Sequence, residues 1–78
     1  MKTVINSKIY DTETASVVCG KSTENLYMTP VEGEFFKACR VMKTIEPMNR
    51  EAAMEYYGKC VDQQMDYEVA FGEKPIEI

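Results

Sequence analysis

The chain has 78 residues, 13 acidic and nine basic, with a formal net charge of -4 and no histidine. A chain this short forms one domain at most and buries only about 60% of its unfolded surface, so its core is thin. The missing histidine removes the usual general base, the usual metal ligand and every Ser-His or Cys-His nucleophile pair, and the acidic balance argues against a phosphate-binding surface.

In chain order, the first expected element is a strand over Thr3–Tyr10, where Val4, Ile5 and Ile9 are β-branched and Asn6-Ser7 interrupt the alternation as a turn or bulge would. Asp11 stands where an N-cap belongs. A short helix over Thr12–Cys19 is predicted after it, closed by Gly20, with Ala15, Val18 and Cys19 as its apolar face. Lys21–Asn25 reads as a loop. Leu26–Thr29 and Glu34–Met42 then form a hairpin across the turn Pro30-Val31-Glu32-Gly33, and a short strand over Lys43–Glu46 ends at Pro47.

Asn49 is placed to cap the one long helix. Beginning at Arg50, it carries Ala53, Met54, Tyr57, Cys60 and Val61 at helical spacing, with Gly58 as its weak point. Asp66–Phe71 makes a last turn of helix stopped by Gly72 and anchored by Tyr67 and Phe71 at i, i+4; Glu73–Ile78 is a tail. Together these elements predict an α+β domain: a small antiparallel sheet of three to four strands with a short N-terminal helix and a longer C-terminal helix packed on it.

Three cysteines, Cys19, Cys39 and Cys60, are an odd number at spacings of about twenty, which fits neither a disulfide framework nor a zinc pair. Reduced thiols in a cytoplasmic protein are the expectation. No apolar run nears the roughly 20 residues that span a bilayer, and the first residues lack the apolar core of a secretory signal, so no membrane partner is expected. The glycines at 20, 33, 58 and 72 are scattered and form no phosphate-binding loop. No catalytic residue, cofactor or metal is assigned.

Charge carries the functional signal. Residues 1–50 hold six acids and seven bases, whereas residues 51–78 hold seven acids and only Lys59 and Lys74. Glu51, Glu55, Asp62 and Asp66 fall at i, i+4, i+11 and i+15, one side of a continuous helix, with a first step of about 6 Å at 1.5 Å rise per residue. With Glu68 they are the candidate partner-binding residues, because such a row imitates the phosphates that a basic protein groove holds. Tyr27 and Phe35, on the hairpin, are the candidate aromatic contacts. Basic residues are dispersed, which argues against direct nucleic-acid binding; the alternative is a small DNA-binding or regulatory accessory protein acting through Lys37, Arg40 and Lys43. Edge strands and exposed aromatics are the expected route to a homodimer or larger assembly.

The string K-I-Y-D-T-E-T-A at Lys8–Ala15, the aromatic segments L-Y-M-T and E-F-F-K, the run P-M-N-R-E-A-A-M-E-Y and the closing D-Y-E-V-A-F-G-E resemble a group of small phage and mobile-element proteins. Some members are anti-CRISPR proteins. The resemblance implies an inhibitor that binds a CRISPR effector complex in the host cytoplasm without catalysis and blocks its target DNA. Ser16-Val17-Val18-Cys19-Gly20 departs from the acidic, helix-extending residues of the group, and Asn49 replaces a serine cap.

Overall fold

Asn6 and Ser7 decide the first turn. In the computed structural model, which covers Met1–Ile78, both hold positive φ, 52° and 64°, as a two-residue hairpin turn requires. The strand expected over Thr3–Tyr10 is therefore two strands, β1 (Lys2–Ile5) and β2 (Lys8–Asp11), paired Val4 to Ile9 and Ile5 to Lys8.

The expected helix over Thr12–Cys19 is absent. Asp11 does accept the Glu13 backbone N–H at 3.0 Å, but the chain then makes a turn, with Ala15 N–H donating to the Asp11 carbonyl, and enters β3 (Ser16–Lys21). Val17, Val18 and Cys19 suit a pleated, buried surface better than a helix. A bulge between Val17 and Cys19 leaves Val18 unpaired, and Val18 and Cys19, though consecutive, both join the same core cluster. The segment read as a loop, Lys21–Asn25, is the end of β3, a turn at Ser22-Thr23 and the start of β4 (Glu24–Met28).

The hairpin expected across Pro30–Gly33 is present, with β4 pairing β5 (Phe35–Cys39) in the register Met28 to Phe35 and Tyr27 to Phe36. After it comes β6 (Thr44–Met48). Pro47 lies within this strand rather than stopping it, which an edge position permits because the missing N–H has no neighbour to serve. Asn49 caps α1 (Arg50–Lys59), its side-chain oxygen accepting from Ala52 N–H at 2.7 Å. A two-residue strand, β7 (Asp62–Gln63), and α2 (Tyr67–Phe71), closed by Gly72 at φ 75°, complete the chain.

The architecture is thus mostly β: seven strands in two antiparallel sheets, β1-β2 and β6-β5-β4-β3-β7, with two short helices. It is not a sheet of three or four strands under a long C-terminal helix. On one face of the larger sheet, Val18, Cys19, Leu26 and Phe35 pack against Ala53, Tyr56 and Tyr57 of α1 and Ala70 and Phe71 of α2. On the other, Tyr27, Phe36 and Ala38 pack under Tyr10 of the β1-β2 hairpin. The expected stripe on α1 holds at Ala53, Met54, Tyr57 and Cys60; Val61 lies beyond the helix and is 91% exposed. Tyr67 and Phe71 meet as their spacing implies, their rings tilted by 49° with centroids 4.8 Å apart.

The expectation of reduced thiols is overturned as well. Cys19 in the centre of β3 and Cys60 at the C-cap of α1 form a disulfide, their Cα atoms 6.0 Å apart across 41 residues of sequence; only Cys39 is free. Closing a loop of that length removes denatured-state entropy worth about 4 kcal/mol. No helix is long and apolar enough to cross a membrane.

Candidate functional site

Of the five candidate carboxylates, Glu51 and Glu55 lie one turn apart on α1, both exposed. The row then breaks. The α1 helix ends at Lys59, so Asp62 is on the edge strand β7, Asp66 is the N-cap residue of α2 and Glu68 is in its first turn. All five are exposed, but a regular phosphate-like spacing along one helix is not formed. The break falls at Cys60, whose backbone is extended, ψ 142°, where it meets Cys19.

Their electrostatic surroundings differ. Glu55 is paired with Lys59 at 3.3 Å, and Asp62 accepts from the Gln64 amide at 2.9 Å. Glu51, Asp62, Asp66 and Glu68 enter no salt bridge. Asp66 makes no side-chain cap bond to α2, so its carboxylate too is uncommitted. Its charge, after the stronger influence of burial, helps push the Tyr57 phenol above its ordinary value.

The hairpin aromatics are not a surface. Tyr27 is 8% exposed and stacked on Phe36 at 5.1 Å, while Phe35 is 5% exposed on the opposite face against Phe71. Every aromatic ring is buried or half-buried, so the hairpin carries no exposed aromatic surface. Lys37, Arg40 and Lys43 do not gather into one basic surface either. Lys37 faces the α1 side of the sheet, held by Glu24 at 3.8 Å and Glu46 at 3.5 Å, which leaves Arg40 and Lys43 in and beside the β5–β6 turn.

One cluster was not expected from the sequence. The Tyr56 hydroxyl donates to Glu24 Oε1 at 2.8 Å, Lys37 closes on the other oxygen, and Lys21 Nζ lies 4.6 Å above the Tyr56 ring. Burial first, and the Glu24 carboxylate second, hold the Tyr56 phenol far above its ordinary value. A phenol that keeps its proton so firmly is a structural donor, not a neutral-pH acid or base. Beside it, Cys39 is held below the usual thiol range, chiefly by the Met42 backbone N–H and then by Thr23. The only advance signal was the alternation that puts Glu24, Lys37 and Glu46 on one face of adjacent strands.

No group of three or more His, Cys, Asp or Glu side chains is arranged to hold a metal ion. An open groove of 440 Å³ runs beside Glu34 and Arg50 between the hairpin and the sheet, but it gathers no nucleophile and base. Comparison with protein-family models, curated proteins and solved structures finds no match to the chain.

Proposed function

We propose that this chain is a non-catalytic binding protein that presents the carboxylates of Glu51, Glu55, Asp62, Asp66 and Glu68 to a basic surface on a protein partner. The observation that carries the reading is that all five are solvent-exposed while four of them, all but Glu55, have no cationic partner within the chain. Uncompensated exposed charge steers association and rejects like-charged surfaces. The resemblance to anti-CRISPR proteins of phages and mobile elements makes the DNA-binding groove of a CRISPR effector the first basic surface to try. Because the five residues span two helices and a strand, the imitation is of a charged surface rather than of a regular phosphate row.

The test is a pull-down of effector complexes by the tagged chain, with and without excess target DNA. Retention that DNA competes away, and that E51Q/E55Q/D62N/D66N/E68Q abolishes, is the expected result. Equal retention by the neutralised chain refutes the acidic-surface reading. A salt-sensitive mobility shift of duplex DNA by the chain alone would move the assignment to direct DNA binding through Arg40 and Lys43.

A further inference from the structure

Downstream of Cys60 the chain is lightly held. Val61, Asp62, Gln63 and Gln64 are all exposed, and β7 is a two-residue edge strand. Besides that pairing and the packing of half-buried Met65 against the core, the ties are few: the Gln64 and Met65 amides share the Val18 carbonyl, Tyr57 Oη donates to the Met65 carbonyl at 2.8 Å, and Gln63 Nε2 donates to Tyr57 O at 3.1 Å. Exposed side chains, few hydrogen bonds and a short edge pairing are the mark of segments that open locally at low cost. The disulfide is the one covalent cross-link, joining Cys60, the residue just before this segment, to a wholly buried position on β3.

We propose that the Cys19–Cys60 disulfide is a redox latch for residues 61–66: oxidised, it pins them to the β3 edge, and two-electron reduction by a dithiol releases them while the β3–β6 meander stays folded. Cys19 is fully buried and Cys60 half-buried, so the attacking thiolate of the dithiol reaches Cys60 Sγ. A mixed disulfide forms there and the Cys19–Cys60 bond breaks, Cys19 leaving as a thiolate. The second thiol of the reductant then attacks its own half of the mixed disulfide, Cys60 leaves as a thiolate, and the reductant departs as a disulfide. Both protein thiolates take up protons. Cys39 does not short-circuit the exchange, because Cys19 pairs with Leu26 and Leu26 with Lys37 on the strand that carries Cys39. Two strand spacings, roughly 10 Å, exceed the reach of a disulfide.

Asp62 and Asp66 lie within the released segment, so the latch would gate part of the acidic surface; that consequence rests on the proposed binding role, whereas the latch itself does not. The test is amide hydrogen exchange on the full chain in a Cys39→Ser background, oxidised and after reduction with dithiothreitol. Exchange at least tenfold faster across residues 62–66 on reduction, with β4 and β5 amides still protected, is expected. Cys60→Ser should reproduce the reduced pattern without reductant. Unchanged protection at 62–66, loss of protection throughout the chain, or free thiols at Cys19 and Cys60 in the air-exposed, unreduced protein would each overturn the proposal. Since no partner enters the readout, failure of the latch and failure of the binding reading are separate results.

Discussion

Replacing Phe36 by alanine should come close to unfolding this protein. Phe36 has no exposed surface and lies between Tyr10, at 5.4 Å and 68°, and Tyr27, at 5.1 Å and 12°. An aromatic side chain buries on the order of 150–200 Å², which at about 25 cal/mol per Å² is about 4–5 kcal/mol, an upper bound because denatured chains are partly compact. Alanine keeps about 1 kcal/mol of that, and two ring pairs lose about 0.5–1.5 kcal/mol each. The expected cost is about 4 kcal/mol, within the usual range of about 3–5 for Phe→Ala. Set against a total of roughly 4–12 kcal/mol for 78 residues, this is a third of the stability or all of it. Phe36 is also the ring on which the β1-β2 hairpin rests through Tyr10, so hairpin amides should lose protection first. Urea titration followed by circular dichroism gives the first quantity and hydrogen exchange the second. A loss below about 1 kcal/mol, comparable to that of Val31→Ala at an exposed position, would refute the assignment of Phe36 to the core.

Two further outcomes follow from local geometry. Ser7 holds a left-handed conformation at φ 64°, which costs a side-chain-bearing residue about 1–2 kcal/mol; Ser7→Gly should therefore raise the urea midpoint by the equivalent of about 0.5 kcal/mol after glycine's added chain entropy, and a lowered midpoint would argue against the β1-β2 turn. Tyr56 and Tyr57 have folded-state values above the unfolded phenol value near 10, so the stability from their neutral hydroxyls is intact below about pH 10 and is lost as pH rises through the raised values. Ultraviolet difference titration should show Tyr56 and Tyr57 ionising late and together with unfolding, and Tyr56→Phe should remove one late step and make the alkaline loss shallower.

Elements set by neighbours in the sequence were legible in it. Asn49 caps α1 through a bond to Ala52, Gly72 closes α2 in the left-handed region, Tyr67 meets Phe71 one turn away, and the Pro30–Gly33 turn joins two strands; each depends on residues within a few positions of one another. The concentration of charge after residue 50 is likewise a property of composition, and the structure leaves those carboxylates exposed. What tertiary structure alone decided is where long-range partners override local preference. Asp11 starts a turn that local rules extend into a helix, yet Ser16–Lys21 becomes a central strand because β4 on one side and β7 on the other complete its hydrogen bonds. Tyr27 and Phe35, adjacent to one hairpin turn, go to opposite faces because strand alternation is imposed by the sheet, and each face has its own cover. Cys19 and Cys60 meet only once α1 packs on the sheet, and the helix ends at that meeting, where an unbroken row of acids needed it to continue.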